Sequence, residues 1–186
     1  MDGVKVLTIG NLVPRKRIDL CARTCAELEK KHRLSWTVIG NGPEEEKIKS
    51  LAPESMTVRD RVESLTEFYK MADIFVLPSL DEGFGMVYIE AIMCGCPVVC
   101  RKNDGGEEII DKTGGGLAID IPADDDKAAA AIAGAIEKIL ENRVFYTSEE
   151  IIVRARDLVD PASIKDKWER LLGKYAPFLS GTGRAA

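Results

Sequence analysis

The chain has 186 residues, of which 45% are hydrophobic and 31% charged, the length and balance of one globular domain with a substantial core. A formal net charge of -5 argues against a general nucleic-acid binder, which would carry a basic excess. No apolar run is long enough to cross a bilayer and the N-terminus lacks the layout of a signal peptide, so a cytoplasmic location is expected.

The pattern is short apolar runs alternating with longer helical stretches. Val4–Ile9 reads as a strand ending at Gly10, followed by a helix from Arg17 to Lys31 with Ile18, Leu20, Cys21, Cys25 and Leu28 on one face. Leu34–Ile39 is the second strand, closed by Gly40-Asn41-Gly42, and Pro43-Glu44-Glu45-Glu46 has the proline and acids of a helix start. A short strand near Met56–Val58 and a helix near Ser64–Met71 come next. Asp73–Leu77 is almost uninterruptedly apolar, as expected for a strand covered on both faces of a parallel sheet. A helix from Gly83 to Cys94, a strand at Pro97–Cys100, a Gly105-Gly106 loop, a short helix near Glu107–Ile110 and a strand at Leu117–Ile119 follow. Helices are expected near 126–141 and 148–158, and a last one from Pro161 to about Tyr175.

This alternation predicts a Rossmann-like, doubly wound parallel sheet with helices on both faces over residues 1–179, leaving 180–186 as a frayed tail. Such sheets bind ligands where the strands end, beside a topological switch point. The loops after Ile9, Ile39, Leu77 and Cys100 are therefore the places to look.

Five cysteines without a secretion signal read as reduced thiols, and those clustered at Cys94, Cys96 and Cys100 as small core hydrophobes rather than metal ligands. The single histidine, His32, reads as a cation at a helix end, and leaves a Ser-His-Asp or Cys-His mechanism without material. Asp124-Asp125-Asp126 reads as helix-start chemistry, not a metal site.

The densest signal is Ser79-Leu80-Asp81-Glu82-Gly83-Phe84-Gly85-Met86-Val87-Tyr88-Ile89-Glu90. Gly83 and Gly85 let backbone approach a ligand, and the helix tip offers N–H groups to a phosphate. Glu82 and Glu90 would repel that phosphate but suit the sugar hydroxyls flanking it. Two carboxylates eight residues apart are separated along a helix by about 12 Å, enough to grip the ends of an extended ligand.

This segment, with the following Ala-Ile-Met-Cys-Gly-Cys-Pro-Val-Val, resembles the E-x7-E motif of family 4 glycosyltransferases. The similarity extends to Gly10-Asn11-Leu12-Val13-Pro14-Arg15-Lys16, Ile39-Gly40-Asn41-Gly42-Pro43, Phe68 to Ser79 and Gly106-Glu107-Glu108-Ile109-Ile110. The resemblance implies one half of a GT-B fold and a retaining transfer of sugar from a nucleotide-diphosphate donor to an acceptor hydroxyl, with no obligatory metal. It implies that Glu90 holds the ribose and Glu82 sits against the donor sugar. The backbone of Gly83, Phe84, Gly85 and Met86 would meet sugar and diphosphate, and Lys16 would neutralise the diphosphate. Gly40, Asn41 and Arg59 would lie near the base, which the sequence leaves open among UDP, GDP and ADP.

The chain departs from the family at three places. Asn11 stands where many members carry a phosphate-binding arginine, a role Arg15 or Arg17 could take over. Arg17 and Asp60 stand where glycine is usual. The family's acceptor-binding N-terminal domain is expected to be missing, so the chain alone is expected to be inactive. The face of the last helix around Trp168 and Leu172 is expected to be partly exposed, and contact of the complete protein with a membrane surface is left open. The alternatives are a non-catalytic nucleotide-sugar-binding module or partner subunit, and a nucleotide-sugar epimerase, which the Glu82-to-Pro97 pattern fits less well. A dinucleotide oxidoreductase is disfavoured because no spaced glycines follow the first strand.

Overall fold

A computed structural model describes residues 3–179, with side chains described to residue 173; the tail expected at 180–186 lies outside the described residues. Six strands form one parallel sheet in the order β3-β2-β1-β4-β5-β6: β1 (Val4–Ile9), β2 (Leu34–Ile39), β3 (Met56–Arg59), β4 (Ile74–Leu77), β5 (Val98–Arg101) and β6 (Gly116–Ile119). This is the doubly wound architecture expected, with its switch point between β1 and β4. All four residues of β4 are fully buried. That is why this stretch reads as continuous apolar sequence, whereas β1, also a central strand, starts with the half-buried Val4 and Lys5 and buries Thr8 through its hydrogen bonds.

The helices are α1 (Ile18–Leu28), α2 (Glu45–Leu51), α3 (Thr66–Met71), α4 (Met86–Met93), α5 (Gly105–Thr113), α6 (Asp125–Glu141), α7 (Arg143–Tyr146), α8 (Glu149–Val159) and α9 (Pro161–Leu179). On one face α1 packs between α2 and α6; on the other α8 packs on α4 and α5, and α3 on α4. The Ala-rich α6 buries Ala128, Ala129, Ile132, Ala133 and Ile136 on one stripe, and its small side chains let it lie close on α1. Inside the sheet, the Trp36 indole donates to Thr8 Oγ1 at 3.0 Å and the Thr8 hydroxyl donates to the Val76 carbonyl at 2.7 Å, so these buried polar groups across β2, β1 and β4 are satisfied.

The sequence reading needs correction at its helix ends. Gly105 and Gly106 are not a loop but the first turn of α5, because Asp104 caps it. The helix expected from Gly83 starts only at Met86, since Gly85 has φ +69° and cannot be helical. The first helix stops at Leu28, short of Lys31. His32 lies just past that helix end, as expected, and its Nε2 is 3.2 Å from Glu137 Oε1, tying the end of α1 to α6. The 3-10 turn Pro14–Lys16 and the four-residue α7 are too short to leave a periodic signal.

Arg17, between the 3-10 turn and α1, has φ +49°, a left-handed conformation that explains the usual glycine at this position. Its guanidinium is held at 2.6 Å from Asp125 and 3.3 Å from Asp19, a local compensation for that strain. Arg17→Ala loses both ion pairs and keeps the strain, whereas Arg17→Gly loses the pairs but relieves it. The glycine variant is therefore expected to be more stable than the alanine variant by about 1 kcal/mol in urea unfolding; equal midpoints would show that the backbone is unstrained here.

Candidate functional site

The crevice at the switch point lies between the loops that follow β1 and β4. From the β1 side, the 3-10 turn carries Lys16 inward until only 7% of it is exposed. From the β4 side, Pro78 and Ser79 end the strand and the loop brings in Glu82. The Lys16 ammonium donates to Glu82 Oε2, closing an ion pair across the crevice. Backbone contacts stitch the same two loops: Leu80 N–H donates to the Arg15 carbonyl at 2.7 Å, and the Arg15 guanidinium donates to the Asp81 carbonyl at 2.6 Å. The two residues assigned to the chemistry thus touch.

Beyond Glu82 the chain turns through Gly83 and Phe84, both exposed, to Gly85, the N-cap of α4. A side chain at Gly85 would meet the Tyr88 ring at 2.6 Å, so glycine is required by space as well as by φ. The first N–H groups of α4, around Met86, have no partner within the helix and form an electropositive tip beside Glu82. Glu90 lies one turn further along α4 and is half-buried. It accepts from the Tyr69 hydroxyl at 3.0 Å, and it lines a cleft with Val62, Leu65, Thr66 and Met93. Burial in the presence of Glu90 pushes the Tyr69 phenol well above its ordinary range, so it stays a donor to this carboxylate.

Val62 and Leu65 also line a second cleft, with Gly10, Asn11, Gly40 and Arg61. Gly10 sits against the Lys16 stem, so Glu90, the loops after β1, β2 and β3, Lys16 and Glu82 are linked neighbour by neighbour along one edge of the sheet. The loops after β1, β2 and β3 are laced together: Leu12 N–H donates to the Asn41 carbonyl at 2.9 Å and Gly40 N–H to the Arg59 carbonyl at 2.9 Å. Arg59 is exposed at the end of β3, but it lines a separate cavity with Lys5 and Met71 and does not join this cleft. Of the two arginines beside Lys16, Arg15 reaches the crevice loop and Arg17 turns away to Asp19 and Asp125.

Three participants escaped the sequence reading. Tyr69 and Arg61 reach the site through tertiary contacts with Glu90 and Asn11, which no local pattern announces. Asp104 caps α5 by accepting from Gly106 N–H at 2.8 Å and Glu107 N–H at 3.3 Å, a signal available as an acid before a glycine-led helix. It matters because Gly105 N–H donates to the Glu82 carbonyl at 2.9 Å, and a Cβ at Gly105 would fall 1.7 Å from the Gly83 carbonyl oxygen. The tip of α5 therefore holds the Glu82–Gly83 loop from behind.

Cys21, Cys25, Cys96 and Cys100 are buried and Cys94 half-buried; burial pushes the Cys21 thiol up to about 12 and Cys25 to about 11, so neither is a ready nucleophile. Asp124 caps α6 by accepting from Lys127 N–H at 2.9 Å. Among the described residues no group of three or more His, Cys, Asp or Glu side chains could hold a metal ion, and no helix is long and apolar enough to cross a membrane. Trp168 and Leu172 on α9 are 56% and 53% exposed, and Trp168 with Ile164 and Leu171 borders an apolar groove of about 380 Å³ that runs to Gly83 and Phe84.

Comparison with known proteins gives this geometry its context. The family model described as Glycosyl transferases group 1 matches residues 1–157. A D-inositol 3-phosphate glycosyltransferase of Acidothermus cellulolyticus is 33% identical over 159 residues, covering 76% of this chain and 34% of that protein. The solved structure of a sucrose-phosphate synthase from Thermosynechococcus elongatus matches with a TM-score of 0.77 at 25% identity, covering 97% of this chain and 46% of the other. An Anabaena protein solved in complex with UDP matches with a TM-score of 0.76 at 18% identity, over 93% of this chain and 49% of the other, and at that identity shows the fold alone. The chain spans about a third of the length of that curated relative and about half of the two matching structures.

The cap at Asp104 yields a test of how the loop is supported. Burial raises the Asp104 carboxyl above its ordinary range, against the pull of its two N–H donors. A raised native value means that the folded state binds the proton more tightly, so this group favours folding most in acid and loses that contribution as pH climbs through the raised value. Asp104→Asn keeps the acceptor without the buried charge and is expected to match or exceed the parent's stability at pH 7. Asp104→Ala, which removes the cap, is expected to lose about 1 kcal/mol. Thermal melts of the three proteins between pH 4 and 8 check both the order and the flatter profile of the asparagine variant.

Proposed function

The chain belongs to the glycosyl transferases group 1 family, and from that premise we propose that it is the donor-binding, C-terminal half of a retaining family 4 enzyme. The complete protein would transfer a sugar from a nucleotide-diphosphate donor to an acceptor hydroxyl. The observation that carries this reading is the Lys16–Glu82 contact at the switch point, beside the α4 tip and joined by a continuous edge to Glu90. The donor's ribose would hydrogen-bond Glu90, held by Tyr69. Its diphosphate would lie over the α4 tip and Lys16, and its sugar against Glu82 and the Gly83–Met86 backbone. As the bond between the anomeric carbon and the phosphate oxygen breaks, negative charge gathers on the diphosphate, where Lys16 and the helix tip stabilise it without reorganising.

On this reading Glu82 positions the sugar and is not a hydrolase acid. The ion pair is the resting state: an entering donor inserts sugar hydroxyls toward Glu82 and phosphate toward Lys16, exchanging one set of charged hydrogen bonds for another. In the complete protein the acceptor would be held by an N-terminal domain facing this one. The exposed α9 face and the groove reaching Phe84 are the surfaces it would cover, and the chain alone would bind donor without turning it over.

Calorimetry with UDP, GDP and ADP tests the assignment. Glu90→Gln is the informative variant, because glutamine can still accept from Tyr69 while losing the charge that grips the ribose diol. It is expected to weaken the nucleotide that binds by about tenfold, corresponding to about 1.4 kcal/mol. Unchanged affinity would take Glu90 out of the donor site and the reading with it.

A further inference from the structure

A donor diphosphate is a dianion, and the side chains that surround its place do not balance it. Lys16 is already neutralised by Glu82, and Glu90 adds a carboxylate whose partner is the neutral hydroxyl of Tyr69. Lys16, Glu82 and Glu90 together therefore carry a net negative charge, and the partial charge of one short helix tip does not reverse it. A dianion placed there needs a further cation that is not already committed to a carboxylate.

Arg15, Arg61 and Arg101 stand on this rim with no carboxylate partner within ion-pair distance among the described residues. Arg15 and Arg101 are committed to the frame: they donate to the main-chain carbonyls of Asp81, at 2.6 Å, and Leu80, at 3.3 Å, and brace the crevice loop. Arg61 is different. It lies beyond the end of β3, is exposed, and donates to the side-chain oxygen of Asn11, the residue directly after Gly10. It thereby bridges the mouth of the cleft lined by Gly10, Asn11, Gly40 and Val62. Its partner is a neutral amide, which a phosphate oxygen outcompetes because it adds a full opposite charge and a bidentate fit to the guanidinium.

We propose that Arg61 is the second diphosphate-binding cation of this site, supplied from the β3–α3 loop and parked on Asn11 until the donor enters. The inference rests on the donor-binding reading above and goes beyond it by naming a residue which that reading did not include. The carboxamide of Asn11 holds the guanidinium next to the β1 loop, so it takes the place of a cation fixed on that loop itself. Donor entry then exchanges Arg61–Asn11 for Arg61–phosphate. A fork-shaped guanidinium can make that contact through two parallel N–H groups, which a lysine cannot.

The experiment is calorimetry of the whole chain with UDP, GDP and ADP, with inorganic pyrophosphate, and with the matching nucleosides. Arg61→Gln is expected to weaken the bound diphosphate and pyrophosphate by about tenfold while changing nucleoside affinity by less than about twofold, because only the charge-assisted contact is lost. Arg61→Lys should recover part of the loss, and Asn11→Arg in the Arg61→Gln background should recover most of it by placing the cation on the β1 loop. An Arg61→Gln protein with unchanged diphosphate affinity overturns the proposal, as does an equal loss for nucleoside and diphosphate, which would make Arg61 a base contact. Thermal melts confirm that the exposed variants remain folded. If the parent protein binds none of the diphosphates, the donor-binding reading itself fails, an outcome separate from any behaviour of Arg61.

Discussion

A buried ammonium cannot be left alone. Lys16 is drawn inward by the 3-10 turn after β1, and an unpaired cation there would cost several kcal/mol. Glu82 meets it from the loop after β4, and the pair crosses the one place where adjacent strands send their connections to opposite sides of the sheet. The surrounding frame serves this encounter. The Arg15 carbonyl and guanidinium both grip the crevice loop, and the tip of α5 presses a glycine against the carbonyl of Gly83. A crevice that opens because strand order reverses is thereby converted into a fixed arrangement of charge.

How much of this could be read from the chain depends on the range of the interaction. β4 was legible because burial on both faces leaves an unbroken apolar run, and α1 and α6 because burial on one face leaves a helical period. The positions of Lys16, Glu82 and Glu90 were legible from motif spacing, since each is tied to the end of a strand or to one helix. Their partners were not. Tyr69 and Glu90 are 21 positions apart, Asn11 and Arg61 50, and Lys16 and Glu82 66. Such contacts exist only after the strands take their order. Helix ends depart from the sequence pattern for a related reason: the Asp104 cap starts α5 despite the poor helix propensity of Gly105 and Gly106, and the left-handed φ of Gly85 holds back the start of α4.

The family's usual residues also acquire physical reasons. Glycine after the lysine suits a left-handed turn; this chain has Arg17 there, and two acids, Asp19 and Asp125, hold the result. Arg17 is thus spent on the scaffold and unavailable to the crevice, although in sequence it is as close to Lys16 as Arg15. Adjacency along the chain says nothing about which side of a 3-10 turn a side chain leaves from. Only the turn's geometry separates the two arginines.

The same geometry bears on why half a fold is still an ordered domain. The core is covered from β3 to β6 by helices on both faces, and the apolar groups left exposed include Phe84 and, on α9, Trp168 and Leu171. These two regions border one groove. Material covering α9 would therefore also rest against the loop whose next residues, Gly85 and Met86, form the helix tip. The same loop carries Glu82, which is held from behind by Gly105 and from in front by Lys16. The groove reaches Gly83, one residue removed from the ion pair on which the crevice is built.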